Sequence, residues 1–184
     1  MLSALPNLNR VRIYGNPDIS VDAGFCNDVA RLLQDQGIGF SFFTSGIGGA
    51  KVMETVTDGI NPSNVRKVIF SVATIDEKKL SEMKGVEISL KTITDGIECC
   101  NNLNIPFAMS IVIWPVNADE DFFEYQEFFK AYGALKLSCT LVRLREQWGA
   151  YHMFRRIKSL KSGKDTGQVQ LRLIIVWQPM TSMS

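Results

Sequence analysis

Residues 38–60 read IGFSFFTSGIGGAKVMETVTDGI, which predicts a strand, a glycine-rich turn and a helix in immediate succession. The strand is expected over 38–44, where apolar and aromatic residues dominate, and the turn over 45–49. The helix is expected from about Ala50 to Ile60, because Asn61-Pro62 would end it. A strand that leads through a turn into a helix is the unit from which parallel α/β folds are built.

The same unit precedes this stretch. Residues 8–14 are predicted to form a strand that stops at the turn Gly15-Asn16-Pro17. A helix follows, with Ser20 as its expected cap and Gly37 as its end. Its apolar residues are expected to share one face; they are Phe25, Val29, Leu32 and Leu33.

Three further strands are expected along the chain, over 67–72, 106–114 and 135–143. Between the first two, a segment at 76–83 comes before a helical stripe that consists of Leu90, Ile93, Ile97 and Cys100. Between the last two, a helix would bury Phe122, Tyr125, Phe129 and Tyr132. Because strands and helices alternate, the sequence predicts an α/β fold with a parallel sheet.

The composition is typical of one soluble domain. The chain has 184 residues, of which 46% are apolar and 21% are charged, and its formal net charge is +1. This balance gives no general attraction to nucleic acid or to an anionic membrane. No apolar run approaches the roughly 18–20 residues that span a bilayer. We therefore expect a cytoplasmic protein without a membrane partner, and the composition disfavours a nucleic-acid partner.

The end of the chain differs in charge from the rest. Residues 154–184 carry a formal charge of +5, whereas residues 1–153 carry −4. We therefore divide the chain into a core over 1–150 and a basic C-terminal extension over 151–184, with one helix and one strand. A solvated basic helix and an edge strand explain this pattern. The alternative is a patch for nucleic acid or an acidic partner, but the interleaved aromatic residues of a base-stacking surface are missing.

Candidate functional residues are expected in the loops after the strands, because parallel α/β folds place their sites there. These loops contain no nucleophile with a base and an orienting group beside it. The single histidine, His152, lies beyond them. This pattern disfavours conventional hydrolase chemistry. The turn Gly46-Ile47-Gly48-Gly49 either cradles an anion with its N–H groups or is a tight turn that requires positive φ.

Taken in order, these turns resemble the core of the radical S-adenosylmethionine (SAM) superfamily. Residues 15–17 stand where that family has a GGEP-like turn, and 43–46 where it has threonine, a small polar residue and glycine. The next two family strands match the segment of Ser71, Asp76-Glu77 and Gly85 and the segment at 109–117. The resemblance covers residues 8 to 145 and implies a TIM-barrel-like, partial (β/α) barrel of parallel strands.

The resemblance implies a SAM site at one mouth of that barrel. The turn at 15–17 would hold the methionyl group, and Ser71 would lie near the ribose or the carboxylate of SAM. Thr44 would line the mouth, while Asn117 and Leu141 would lie near the nucleoside. The complete predicted set is Gly15, Asn16, Pro17, Thr44, Ser71, Asn117 and Leu141. It assigns neither a catalytic residue nor a metal ligand to this chain.

Enzymes of that family also bind a [4Fe–4S] cluster through a CxxxCxxC loop, which this sequence lacks. Its cysteines, Cys26, Cys99, Cys100 and Cys139, have neither zinc nor redox spacing, and we expect small buried apolar residues rather than ligands. Asn16 also stands where the family has glutamate. We expect that the cluster-binding segment lies upstream and was lost by truncation or a misplaced start codon.

Three interpretations follow. In the first, the chain is the SAM-binding part of an iron–sulfur enzyme that generates a 5′-deoxyadenosyl radical. Its cluster-bearing segment or chain would be supplied separately, and its substrate is unknown. In the second, the barrel is a non-catalytic module that binds a nucleotide or a partner. In the third, the chain is an unrelated, flavodoxin-like domain that binds an anion on its glycine-rich turn. The order of strands in the sheet separates the third from the other two.

Overall fold

The computed structural model describes residues 10–15, 18–85, 87–113, 117, 119–133, 137–142 and 169–174. The strands in these ranges are β1 Arg10–Tyr14, β2 Gly39–Thr44, β3 Val65–Val72, β4 Phe107–Ile113, β5 Leu137–Val142 and β6 Val169–Ile174. The helices are α1 Ala23–Asp35, α2 Gly49–Thr57, α3 Glu77–Lys84, α4 Leu90–Asn102 and α5 Phe122–Ala131. A single 3₁₀ turn at Pro62–Asn64 leads into β3.

The strands form one sheet in the sequential order β1-β2-β3-β4-β5-β6, and every neighbouring pair is parallel. Each connection therefore steps in the same direction, and right-handed crossovers place their helices on one face. Within the described residues β1 and β6 are edges, so the sheet is open rather than a closed barrel. The predicted partial barrel of parallel strands is confirmed. The flavodoxin-like alternative requires the order 2-1-3-4-5 and is excluded.

The strand predicted near the end of the chain is present as β6. It pairs with β5 in register, from Leu137 opposite Val169 to Val142 opposite Ile174. This strand therefore belongs to the same sheet as the preceding ones. The basic helix predicted before it lies outside the described residues, and the domain division at residue 150 stays a prediction.

The core lies between one face of the sheet and the helices. Phe40, Phe42, Phe70 and Phe107 project from β2, β3 and β4 into this layer, where their exposed fraction is at most 2%. Because side chains alternate along a strand, the intervening residues face the other way. We call that opposite side the inner face; its described side chains are Arg10, Arg12, Tyr14, Ser41, Phe43, Lys67, Ile69, Ser71, Ala108 and Ser110.

Helix α1 differs from its prediction. Its N-cap is Asp22, whose carboxylate accepts a hydrogen bond from Phe25 N at 3.0 Å, and not Ser20. Its buried residues include Cys26, Ala30 and Leu33, whereas Phe25 and Leu32 are 63% and 55% exposed. The prediction was therefore right for Leu33, which is buried, and for Val29, which packs against the core, and wrong for Phe25 and Leu32. Apolar residues occur on both stripes, so periodicity alone could not choose between them.

The other predicted helical faces agree with the structure. On α4, Ile93, Ile97 and Cys100 are buried, and on α5, Tyr125 and Phe129 are each 1% exposed. These side chains pack in the same cluster as the sheet. Helices α4 and α5 therefore follow the 3.6-residue period that the sequence shows.

No helix among the described residues has both the length and the apolar character needed to cross a membrane.

Candidate functional site

The first two loops at the carboxyl edge of the sheet are joined by Asp18. Its Oδ1 accepts hydrogen bonds from Ser20 N at 3.0 Å and from the Thr44 hydroxyl at 3.1 Å, and its Oδ2 accepts one from Ser45 N at 2.5 Å. The Thr44 Oγ1 in turn accepts a hydrogen bond from Gly46 N at 3.0 Å. Thr44, predicted to line the mouth, is only 2% exposed. Its hydroxyl therefore holds the loops after β1 and β2 together.

Gly15 is held against the same loop. A Cβ at this position would lie 2.0 Å from both the carbonyl carbon and the carbonyl oxygen of Asp18. Non-bonded carbon atoms approach no closer than about 3.5 Å, so only glycine fits. Asn16 and Pro17, the other predicted residues of this turn, lie outside the described residues.

The glycine-rich turn after β2 has the geometry of a tight βα connection. Gly46 and Gly49 have φ values of +80° and +57°, a backbone conformation that residues with a side chain rarely adopt. A Cβ at Gly49 would also lie 3.0 Å from Thr92 O of α4. These features explain the glycines by the path of the backbone. The anion cradle, the other interpretation of this turn, stays a prediction.

Ser45, at the start of this turn, has a polar atom without a partner. Its Oγ is buried and makes no hydrogen bond in the part of the chain that the structure describes. Nearly all buried polar groups in proteins have a partner, which is protein, water or ligand. The Ser45 hydroxyl therefore has an unused capacity to form hydrogen bonds at this edge of the sheet.

A second network joins the loops after β3 and β4. The Thr74 hydroxyl donates to Glu120 Oε1 at 2.7 Å, the Tyr125 hydroxyl donates to Glu120 Oε2, and the Asn117 side-chain amide donates to Ala73 O. Thr74 and Asn117 are both fully buried. Asn117, predicted near the nucleoside, thus uses its amide to fix the loop after β3.

Two lysines of α3 lie near these loops. Lys79 Nζ lies 3.2 Å from carboxylate oxygens of Asp119 and Glu120, and the hydrogen bond to Glu120 is the main cause that raises the pKa of Lys79. Burial lowers the pKa of Lys84, and the negative charge of Asp18 opposes that shift. Helix α3 therefore brings one lysine to each of the two networks.

The remaining predicted residues are on the strands themselves. Ser71 is half-buried on the inner face, next to Ser110 of β4 in register, and Ser110 pairs with Ser138 of β5. Leu141 lies in β5 between Ile113 and Leu173, but its side chain is not among those described. Serines of three neighbouring strands therefore stand in one row, which lies near the carboxyl end of β3 but near the start of β5.

Three of the four cysteines lie on the helices α1 and α4, and Cys139 lies on β5. Cys26, Cys99 and Cys100 are buried, as predicted, and burial is the main cause that raises each pKa, to about 12 for Cys100. Their protonated form is thereby favoured, whereas metal ligation needs the thiolate. The side chain of Cys139 is not described. Within the described ranges, no three His, Cys, Asp or Glu side chains are grouped so that they could hold a metal ion.

Comparison with known proteins shows a similarity of fold. No protein-family model matches the sequence, and no curated protein matches it. A solved domain of pyruvate-formate lyase-activating enzyme from Bacteroides vulgatus is 16% identical, with a TM-score of 0.61; the match covers 88% of this chain and 97% of that chain. That enzyme is a radical SAM enzyme. The chain has a radical SAM-like fold.

The two cofactors of radical SAM enzymes fit the described residues differently. SAM is a polar molecule, and the orphaned Ser45 hydroxyl and the half-buried Ser71 offer it hydrogen-bonding groups at the carboxyl edge. A [4Fe–4S] cluster requires several thiolates close together. The three described thiols are buried and lie on α1 and α4. The described residues therefore do not fit the cluster, and toward SAM they offer hydroxyl groups that any polar ligand could use.

Sequence analysis missed part of this site. Three consecutive acidic residues precede α5; they are Asp119, Glu120 and Asp121. Acidic side chains at this position stabilise the N-terminus of a helix. Asp121 does cap α5, through a hydrogen bond from Phe123 N at 2.9 Å. Glu120 instead turns towards Thr74 and Tyr125. Position in the sequence does not distinguish these two roles.

Proposed function

We propose that this chain is the SAM-binding part of a radical SAM enzyme whose cluster-bearing segment is not among these 184 residues. When bound next to such a cluster, SAM supplies a 5′-deoxyadenosyl radical. This chain would bind and orient SAM at the carboxyl edge of the sheet. The observation that carries the proposal is the buried, unpartnered Ser45 hydroxyl beside the two joined loops after β1 and β2.

The position of β1 supports such an additional segment. Among the described residues, β1 pairs with β2 alone and forms one edge of the sheet. Helix α1 exposes Phe25 and Leu32 at 63% and 55%, and Val21, just before the helix, is 63% exposed. One further strand and its helix, added at this edge, would pair with β1 and cover that apolar stripe.

The substitution Ser45→Ala tests SAM binding. Removal of a buried hydroxyl without a partner leaves the fold equally stable or slightly more stable. If the hydroxyl contacts SAM, the affinity for SAM falls roughly fivefold to tenfold, as expected for the loss of one hydrogen bond of about 1 kcal/mol. Calorimetric titration with SAM and with S-adenosylhomocysteine measures this effect, and Ser63→Ala, in the exposed 3₁₀ turn, is the matched control.

Two outcomes contradict the proposal. If the unchanged protein binds neither SAM nor S-adenosylhomocysteine at millimolar concentration, this chain is not a SAM-binding part. If SAM binds but Ser45→Ala leaves its affinity unchanged, the Ser45 hydroxyl is not a contact and the site must lie elsewhere. A urea denaturation curve of each variant shows that both remain folded.

The second candidate is a non-catalytic barrel module, which the burial of the three described thiols favours. Anaerobic iron–sulfur reconstitution, followed by absorption spectroscopy, and the codons upstream of Met1 distinguish the two. A colourless chain with in-frame upstream codons for a strand and CxxxCxxC agrees with the first proposal. A stop codon there, without such a motif, favours the non-catalytic module, and stable iron binding by this chain alone contradicts both.

A further inference from the structure

The strands of this sheet have an unusual charge distribution. The chain as a whole is nearly neutral, with a formal net charge of +1. Its six described strands nevertheless contain no Asp or Glu, and they carry Arg10, Arg12, Arg66, Lys67 and Arg172. The sheet is therefore basic, and the acidic residues of the described part lie on helices and loops.

The basic residues of β1 belong to the inner face. Ile13 is buried in the core and Val11 packs against it, whereas Arg10, Arg12 and Tyr14 are exposed. Arg12 pairs in register with Ser41, and Ser41 pairs with Lys67. Guanidinium and ammonium groups thus occur in one row across β1 and β3.

The two arginines of β1 have no acidic partner in the described part of the chain. Arg12 Nη1 donates a hydrogen bond to the Tyr14 hydroxyl at 3.4 Å, and neither arginine forms an ion pair there. Like charges two residues apart on one strand repel each other mildly. An anion between or above them would remove this repulsion and form charge-assisted hydrogen bonds.

An apolar row lies directly beside the basic one. Tyr14 pairs with Phe43, Phe43 with Ile69 and Ile69 with Ala108, so these side chains cross the inner face of β1 to β4. The rings of Tyr14 and Phe43 are 5.0 Å apart, at an interplanar angle of 36°. Tyr14 is 55% exposed. Rows two residues apart along a strand are about 6.6 Å apart, which is close to the width of one aromatic ring with its substituent.

We propose that the inner face of β1 and β2 binds a small molecule that joins an oxyanion to a flat apolar group. The oxyanion, a carboxylate or a phosphate, contacts Arg10 and Arg12, since guanidinium groups bind both through paired hydrogen bonds. The flat group packs on Tyr14 and Phe43. The inner face leads to the carboxyl edge, where SAM would bind. If the proposed function is correct, a molecule of this kind is therefore the substrate class of the enzyme, and only this part of the inference rests on the proposed function.

Four probes test the two halves of the proposed ligand on the full chain at low salt and without SAM. They are phenyl phosphate, benzoate, inorganic phosphate and benzyl alcohol, and saturation-transfer NMR with calorimetric titration measures their binding. We expect phenyl phosphate or benzoate to bind more tightly than inorganic phosphate or benzyl alcohol. Whether phenyl phosphate or benzoate binds better identifies the oxyanion as phosphate or carboxylate.

Three substitutions locate the binding. Arg12→Gln should weaken phenyl phosphate roughly tenfold or more, as expected for the loss of a hydrogen bond to a charged group. Tyr14→Leu should weaken phenyl phosphate severalfold and leave inorganic phosphate unchanged. Lys51→Gln removes the same charge from an exposed position on α2, on the helix side of the sheet, and should change neither.

Three results would overturn the inference. They are the absence of binding by all four probes at millimolar concentration, an equal effect of Arg12→Gln and Lys51→Gln, and equal affinities for phenyl phosphate and inorganic phosphate. Thermal unfolding of each variant, followed by circular dichroism, confirms that the exposed substitutions leave the fold intact. SAM is absent from these titrations, so their result does not depend on the SAM titration. If the probes bind and SAM does not, the proposed function is rejected and the anion site on the inner face is supported.

Discussion

Replacement of Asp18 by alanine should destabilise the fold by more than its place in a loop suggests. The half-buried carboxylate accepts hydrogen bonds from Ser20 N, the Thr44 hydroxyl and Ser45 N at 3.0, 3.1 and 2.5 Å. Hydrogen bonds to a charged group contribute about 1.5–3 kcal/mol each. The Ser20 amide can turn to water, whereas the Thr44 hydroxyl is buried. Two effective bonds at the lower end of this range give a loss of about 3 kcal/mol.

Urea denaturation followed by circular dichroism measures this loss as a change in midpoint at constant slope. For a chain of this size, about 3 kcal/mol also lowers Tm by roughly 6–12 °C. Asp22→Ala is the matched control, because Asp22 is exposed and accepts one hydrogen bond, from Phe25 N, as the cap of α1. Loss of such a cap costs about 1 kcal/mol. If Asp18→Ala and Asp22→Ala lower the free energy of unfolding equally, Asp18 does not join the loops and the reasoning is wrong.

Three further predictions concern packing, the second network and a buried thiol. Gly15→Ala should destabilise the fold by about 1–3 kcal/mol, because its Cβ would overlap the backbone of Asp18. Gly24→Ala is the control: a Cβ there meets nothing within 4 Å, so this variant should be more stable by about 0.5–1 kcal/mol. Equal effects of the two substitutions in urea denaturation would contradict this prediction. Glu120→Gln should lower the free energy of unfolding by about 1–2 kcal/mol. Asp119→Asn, whose side chain is 74% exposed, should change it by less than about 0.5 kcal/mol. If Asp119→Asn has the larger effect, Glu120 is not the centre of the network. Burial raises the pKa of the Cys100 thiol from 9.0 to about 12, so the thiol loses its proton at lower pH in the unfolded chain than in the folded one. The free energy of unfolding should therefore fall as the pH rises from 9 towards 12. If the urea midpoint of Cys100→Ala declines with pH as much as that of the unchanged protein, Cys100 is not the cause.

The strands and most helices of this fold could be predicted because their signals are local. Most described strands are short runs rich in apolar residues, β2 and β3 being examples, and α4 shows a clean 3.6-residue period. The alternation of strands and helices predicted the parallel sheet but left its strand order open between a partial barrel and a flavodoxin-like sheet. Helix α1 was the exception, because Phe25 and Leu32 form a second apolar stripe beside the buried one. Which stripe is buried depends on the neighbours of α1, and a single sequence does not state them.

The site was less predictable because its polar residues act across loops. Thr44 and Asn117 were placed at the correct edge of the sheet, yet their side chains hold neighbouring loops. Their partners, Asp18 and Ala73, are 26 and 44 residues away in the chain. A residue that binds a ligand and one that holds a loop have the same type and the same position after a strand. Only the partner distinguishes them.

This difference bears on where specificity for a ligand resides in the molecule. At the carboxyl edge, the Thr44 hydroxyl, the Asn117 amide and the Glu120 carboxylate already have protein partners. A ligand bound there, as proposed above, would depend on backbone groups and on polar side chains for which the structure shows no such partner, Ser45 among them. Backbone groups and single hydroxyls bind polar ligands but discriminate poorly between them. Charge and shape on the inner face, where Arg12 and Tyr14 are exposed, can discriminate. If the two proposed sites are correct, a substitution at Ser45 should change the affinity for SAM, whereas one at Arg12 should change which small molecule the inner face binds.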